Sequence, residues 1–125
     1  MGKQENIQCM YHLVLVTKFR KKIILPRIFS KLESSLRSIS ELNIIEVNHD
    51  EDHLHILLRI SICRSIRSII TKIKSITTKN LYKSENTYLS KYYWNKPQLW
   101  NGGYHISTVG SNKQVITNYI INQGS

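Results

Sequence analysis

The sequence predicts an α+β fold of the ferredoxin-like, split βαβ type. Apolar residues follow strand and helix periodicities in the order β-α-β-β-α-β, and a further helical pattern follows the fourth strand. At 125 residues the chain is expected to form one domain over residues 1–125. We therefore expect a four-stranded antiparallel sheet with two helices on one face and a C-terminal helix on the other.

The first strand and the first helix are predicted from residues 10–43. The Val- and Leu-rich run 10–17 indicates a buried strand that leads into the basic segment 18–22. Pro26 stands where a helix commonly begins, and this helix is expected to stop near residues 42–43. One helical face would be formed by Ile28, Leu32, Leu36 and Ile39.

The second and third strands are predicted to form a hairpin. Residues 43–50 and 53–60 have strand-like patterns, and the acidic residues 50–52 supply the turn. Side chains two apart in a strand point to the same face, so His53 and His55 should stand side by side. The opposite face of this strand would carry Leu54, Ile56, Leu58 and Ile60.

The second half of the chain predicts a helix, a long loop, a strand and a last helix. Ser65 is a plausible N-cap for the second helix. Periodicity fails over residues 81–97, where tyrosines and Trp94 alternate with lysines, and this stretch is interpreted as a basic, aromatic-rich loop. Residues 104–109 indicate the fourth strand, and residues 113–123 indicate a helix.

The paired histidines predict half of a metal site. Imidazoles ligate divalent ions, and two on one open sheet face leave room for oxygen ligands. Tyr119 and Gln123 are four residues apart, one turn apart on the expected last helix. A tyrosine hydroxyl is a poor nucleophile unless a nearby ion polarises the group it attacks, which favours Mg²⁺ or Mn²⁺. The structural alternatives are a packed tyrosine with a surface glutamine, or a zinc site formed by His49, His53 and His55.

Charge indicates a polyanionic partner. Eighteen Lys and Arg against eight Asp and Glu give a net charge of +10 and a pI near 9.8. Nucleic acid is favoured over a membrane surface as that partner. The residues expected to contact this nucleic acid are Lys18, Arg20, Lys21, Lys22, Arg67, Lys72, Lys74, Lys79 and Lys83.

The remaining composition indicates a cytoplasmic protein. Cys9 and Cys63 are far apart and lack metal-ligand spacing, as expected of thiols in a reducing compartment. No apolar run approaches the length of a membrane span, and no signal-peptide pattern precedes the first strand.

Motifs along most of the chain resemble the single-tyrosine HUH transposases of the smallest insertion sequences, the TnpA type. Each motif is weak alone, but together they occur in the family's order and spacing. They are Tyr11-His12-Leu13-Val14 with residues 18–22, Asp52-His53-Leu54-His55, Leu99-Trp100 with residues 104–110, and Tyr119-Ile120-Ile121-Asn122-Gln123. One departure is Lys74-Ser75-Ile76-Thr77, where the family often has Lys-Gly-x-Ser.

This resemblance implies a mechanism and partners. His53 and His55 would be the metal-binding pair, Gln123 the third protein ligand and Tyr119 the nucleophile. Cleavage of single-stranded DNA would leave a 5′-phosphotyrosine link and a free 3′-OH, without a nucleotide cofactor. Family members are homodimers that recognise hairpins at the element's ends. The alternative is a non-catalytic or domesticated nucleic-acid-binding relative on the same fold, because stacking and phosphate contacts suffice for binding.

Overall fold

A computed structural model describes residues 8–61, 64–94, 96–109 and 115–118 of the chain. The strands and helices alternate largely as the sequence predicts. The elements are β1 (Gln8–Val16), a short 3₁₀ turn (Lys18–Arg20), α1 (Pro26–Arg37), β2 (Asn43–His49), β3 (His53–Ser61), α2 (Ile66–Tyr93), β4 (His105–Val109) and β5 (Val115–Asn118).

One sheet of five strands organises the fold, in the order β2-β3-β1-β4-β5 with every neighbouring pair antiparallel. Its first four strands have the 2-3-1-4 order of the ferredoxin-like arrangement. Leu13 lies opposite Ile56 and Val14 opposite His55, so β1 and β3 share the same in-and-out alternation. The predicted α+β class and its two-helix layer are confirmed.

The core fills the space between this sheet and the two helices. Leu13, Leu54 and Ile56 are almost completely buried on one sheet face. Apolar side chains of both helices join them in one cluster, which includes Ile28, Leu32, Leu36, Ile69, Ile70, Ile73 and Leu81. We call this the covered face of the sheet, and the side carrying His53 and His55 the open face.

The first helix is shorter than predicted. It ends at Arg37, and the backbone N–H of Ser38 turns back to the carbonyl of Ser35 at 3.2 Å. Ile39 follows the helix but remains buried, which is why the apolar spacing suggested a longer element.

The predicted loop over residues 81–97 is wrong, because α2 continues to Tyr93. Its buried residues are regularly spaced along one side of the helix, but two of them, Thr77 and Glu85, are polar. Thr77 donates to the carbonyl of Ile73 and accepts from the Trp100 indole at 2.9 Å, and the Glu85 carboxylate binds Arg27 and Lys31. These partners satisfy the buried polar groups that made the sequence pattern appear to fail.

The predicted last helix is also wrong over residues 115–118, where the chain forms β5 against β4. Val115, Ile116 and Thr117 are β-branched and suit a strand, and their pairing covers the edge of β4. The rest of that predicted helix, with Tyr119 and Gln123, lies outside the described residues, as do Gly110, Ser111 and Cys63.

Candidate active site

A row of three imidazoles crosses the open face of the sheet. β3 supplies His53 and His55, and the neighbouring β1 supplies His12. The ring centroids of His53 and His55 are 6.0 Å apart with an interplanar angle of 21°, and those of His12 and His55 are 5.6 Å apart. The predicted placement of His53 and His55 on one open face is therefore seen in the structure.

His12 was not among the predicted site residues, although the alternation of β1 contains the signal. Leu13 and Leu15 are buried, so His12 and Val14, which alternate with them along β1, must face the other way. His12 packs against His55 and limits the rotation of that ring. The alternative zinc site of His49, His53 and His55 is not assembled, because His49 stacks on Phe29 of α1 at 4.3 Å between ring centroids.

His53 is oriented by its neighbours in the β2–β3 turn. Its Nδ1 is hydrogen-bonded to the Asp52 carboxylate, which fixes the ring and leaves Nε2 pointing away. The Arg20 guanidinium lies 3.5 Å from Nε2 of His53 and 3.5 Å from Oδ2 of Asp52. Arg20 is largely exposed, so it can swing aside when a ligand approaches Nε2.

The surroundings of His55 favour its neutral form. Burial lowers the pKa of His55, and His12 and His53 lower it further, while the Asp50 carboxylate acts in the opposite direction. A neutral imidazole keeps the lone pair that a metal ion requires. The donor chemistry of His53 and His55 thus fits a divalent ion that takes further oxygen ligands.

The described residues contribute only these two imidazoles to such a site. No group of three or more His, Cys, Asp or Glu side chains within the described ranges is arranged to hold a metal. Gln123, the expected third ligand, and Tyr119, the expected nucleophile, fall beyond those ranges, and the described part of β5 ends at Asn118.

The predicted DNA-contacting residues separate into distinct environments. Lys18, Lys79 and Lys83 line a groove of about 950 Å³ between α2 and residues 97–102. Arg67 and Lys72 border a smaller hollow further along α2, and Lys72 also pairs with Glu41. Lys21 and the exposed Lys22 belong to the turn after β1, beside Arg20.

Lys74 serves the fold. Its ammonium donates to the carbonyl oxygens of Asn101, Gly102 and Gly103 at 2.8, 3.1 and 3.1 Å. Burial lowers the pKa of Lys74, with a smaller effect from Lys18. An ammonium with three carbonyl partners closes the turn between α2 and β4 and has little capacity left for a phosphate.

Comparison with known proteins places this fold among transposases. The profile of the family described as "Transposase IS200 like" matches residues 5–123. The chain belongs to that family and is therefore an enzyme of the transposase class, as the resemblance implied.

Named relatives agree with this assignment. The chain is 30% identical over 131 residues to the transposase for insertion sequence element IS200 of Salmonella typhimurium, covering 98% of this chain and 85% of the relative. It is 28% identical over 126 residues to the ISDra2 transposase TnpA of Deinococcus radiodurans, covering 98% and 89%. A crystal structure assigned as a transposase of Deinococcus radiodurans superposes with a TM-score of 0.76 at 23% identity, over 90% of this chain and 87% of that one, and this supports the fold.

None of the helices within the described ranges is long and apolar enough to cross a membrane. The cytoplasmic location stays a prediction.

Proposed function

We propose that the protein transposes single-stranded DNA by cleaving and rejoining strands through a 5′-phosphotyrosine at Tyr119. The observation that carries this proposal is the His53–His55 pair on the open face, with His53 oriented by Asp52 and the pKa of His55 lowered by burial. Two half-buried imidazoles side by side on one sheet face are suited to ligation of a divalent ion.

The proposed reaction is a transesterification. The Tyr119 oxygen attacks a DNA phosphorus and forms a tyrosine–phosphate bond, while the bond from phosphorus to the 3′-oxygen breaks. The tyrosine proton passes to solvent, and the leaving 3′-oxygen gains one. Rejoining reverses these steps, because a 3′-OH attacks the phosphotyrosine and releases the phenol, so no nucleotide cofactor is required.

His53, His55 and Gln123 would hold Mg²⁺ or Mn²⁺, which acts as a Lewis acid on the scissile phosphate when bound. The protein's own contribution in the described site is positioning. Asp52 holds His53 in one ring orientation, and His12 limits the rotation of His55. Arg20, beside this pair, is placed to meet a phosphate that reaches the histidines.

The proposed substrate is single-stranded DNA whose ends are marked by hairpins, bound by a homodimer. The net charge of +10 supports a nucleic-acid substrate, since phosphate contacts by Lys and Arg release counterions. The groove lined by Lys18, Lys79 and Lys83 is one candidate surface for the hairpin backbone.

A denaturing gel tests the reaction. The protein is incubated with Mn²⁺ and single-stranded DNA from the element's ends, and we expect a covalent protein–DNA adduct of reduced mobility. Tyr119→Phe should abolish this adduct and leave DNA affinity within a few-fold, because only the hydroxyl is removed. Tyr92→Phe, a half-buried tyrosine of α2, is the matched control and should form the adduct normally.

Two results would contradict the proposal. A Tyr119→Phe variant that forms adduct at the wild-type level would remove Tyr119 from the mechanism. The second result is tight binding of DNA from the element's ends with no adduct in either Mg²⁺ or Mn²⁺. It would identify the alternative, a non-catalytic nucleic-acid-binding protein on this fold.

A further inference from the structure

Three non-glycine residues adopt left-handed backbone conformations in the described chain, and all three surround one surface. Phe19 and Arg20 have φ of 58° and 51° in the turn after β1, and Trp94 has φ of 51° at the end of α2. Such conformations are unfavourable for bulky side chains and persist where the surroundings hold them. Trp94 ends α2 as a left-handed cap whose backbone N–H donates to the Ser90 carbonyl, and Phe19 and Arg20 shape the neighbouring turn.

Hydrogen bonds to the body of the protein fix the turn. The Lys18 amide donates to the Leu99 carbonyl at 2.8 Å, and the buried Thr17 hydroxyl donates to the Lys21 carbonyl at 2.7 Å. The Tyr93 hydroxyl donates to the Lys18 carbonyl at 3.0 Å, and this bond ties the end of α2 to the turn. Burial raises the pKa of Tyr93, so its hydroxyl remains a donor.

This rigid frame presents two aromatic rings to solvent. Phe19 is 60% exposed and Trp94 is 68% exposed, the highest values among the exposed large apolar side chains of the described residues. The Lys18 ammonium lies 5.4 Å from the Phe19 ring centroid, and the Lys21 ammonium lies 5.9 Å from that of Trp94. We call Phe19 and Trp94, with Lys18 and Lys21, the aromatic platform.

The platform adjoins the histidine pair. Arg20, the residue after Phe19, reaches the Asp52 carboxylate and Nε2 of His53, each at 3.5 Å. A strand lying on the platform would therefore continue directly toward the open face.

We propose that the aromatic platform binds unpaired bases of the DNA strand next to the histidine pair, with Phe19 and Trp94 stacking on bases and Lys18 and Lys21 contacting phosphates. This proposal rests on the proposed function, because it concerns the same single-stranded substrate. Exposed rings flanked by ammonium groups combine the two features that sequence-tolerant single-strand binding uses. The positive charge of the turn disfavours a basic partner and complements a polyanion.

Tryptophan fluorescence provides a direct readout, because the two tryptophans differ sharply. Trp94 is exposed, whereas Trp100 is buried and its indole donates to Thr77. Titration with a hairpin-free oligothymidylate of about twelve nucleotides, within the site sizes of single-strand-binding surfaces, should quench the wild-type emission. An abasic oligonucleotide with the same number of phosphates should quench it far less, because it offers no base to stack.

Leucine variants separate stacking from simple apolar contact. Phe19→Leu and Trp94→Leu keep an apolar side chain but lose the aromatic face. Each should weaken binding of the oligothymidylate by about 5- to 150-fold, and Trp94→Leu should also lose the quenching. Ile45→Ala, an exposed apolar residue on β2, is the matched control and should bind as the wild type does.

Each remaining result decides against the platform. Equal affinity for the thymidylate and abasic strands, or leucine variants that bind as tightly as wild type, would show that bases do not stack there. Leucine variants that dissociate a dimer in analytical ultracentrifugation while binding DNA normally would make this surface a contact between copies of the chain.

The adduct assay with Tyr119 is scored separately, so loss of base stacking with a normal adduct contradicts the platform alone. Normal stacking without adduct contradicts the catalytic proposal alone.

Discussion

Adjacent residues of β3 belong to two different regions of the molecule. Leu54, Ile56 and Leu58 are completely buried on the covered face, whereas His53 and His55 stand half-buried on the open face. One strand thus supplies both the centre of the core and the candidate metal ligands, one residue apart.

The difference shows how this small domain divides its tasks. The covered face gains stability by removing apolar area from water, and the buried Thr77 and Glu85 beside it are matched by specific partners. The open face keeps groups whose chemistry requires access, and orients them by contacts within the sheet and its turns. Substitutions on the two faces should therefore affect different measurements.

Ile56→Ala should destabilise the protein most. Ile56 is completely buried between the sheet and the helices, so its truncation leaves a cavity in the main core. Isoleucine-to-alanine changes at such positions lower the free energy of unfolding by about 2–5 kcal/mol. Urea denaturation followed by circular dichroism measures this loss. A change below about 1 kcal/mol would mean that the covered face is not the principal core.

Glu85→Gln tests a charge on the covered side. The carboxylate binds Arg27 at 2.8 Å and Lys31 at 2.6 Å, so it joins α1 to α2 where α2 departs from helical geometry. Hydrogen bonds from Arg27 and then Lys31 lower the pKa of Glu85 from 4.5 to about 2. At neutral pH the substitution should lower the free energy of unfolding by about 1–3 kcal/mol.

The pH dependence of this effect has a definite sign. Because the folded-state pKa is depressed, the ion pairs stabilise the protein above about pH 4.5, and that stability is lost as the pH falls toward 2. The difference between wild type and Glu85→Gln should therefore shrink between pH 5 and about pH 2. Denaturation curves at several pH values measure this difference. A difference in free energy of unfolding that stays constant over this pH range would contradict the prediction. Glu33→Gln, in a more exposed ion pair with Arg37, is the matched control and should change little.

His55→Ala should reverse the pattern seen for its neighbour Ile56. His55 lies on the open face, so we expect the free energy of unfolding to change by less than about 1 kcal/mol. Loss of one of the proposed metal ligands should nevertheless remove Mn²⁺ binding, measured by calorimetry, and the DNA adduct. Cleavage at the same rate in chelator as in Mg²⁺ would show that no metal is needed and would contradict the assignment of His53 and His55.

Sequence periodicity was sufficient where one face of an element is uniform. The alternation of β3 predicted both the buried leucines and the histidine pair, because a strand shows each face at every second residue. The order of the first four strands followed from the succession of elements. The family was predicted from motifs that occur along the chain in the family's order and spacing.

Periodicity failed where a tertiary partner replaces apolar burial. From the sequence alone, Glu85 is expected at the surface. The fold brings Arg27 and Lys31, more than fifty positions earlier in the chain, into hydrogen-bonding contact with it. Val115 and Ile116 suit a helix or a strand, and the free edge of β4 decides for the strand. Similarly, the aromatic platform depends on positive φ values at Phe19 and Trp94. These conformations could not be predicted from the sequence, because bulky residues rarely adopt them.

The smallest effect on stability, but a clear one on DNA binding, is expected for basic residues on the outer side of α2. Replacing Arg67, Lys72 and Lys79 together by Ala should weaken hairpin binding. The log–log salt dependence should flatten by up to about three units, or about one per phosphate contact removed. The ion pair between Lys72 and Glu41 favours a value nearer about two, because a lysine already paired releases less on binding.

Lys74→Met is the informative contrast on the same helix. Lys74 is half-buried and donates to three carbonyl oxygens, so its loss should lower stability and leave the salt dependence nearly unchanged. Fluorescence-anisotropy titrations at several salt concentrations distinguish the two behaviours. If the triple variant keeps both the wild-type affinity and slope, the outer side of α2 is a solvated surface. The proposed hairpin contact would then lie elsewhere, and the turn after β1 with Lys21 and Lys22 would become the better candidate, because this turn carries Arg20 beside His53.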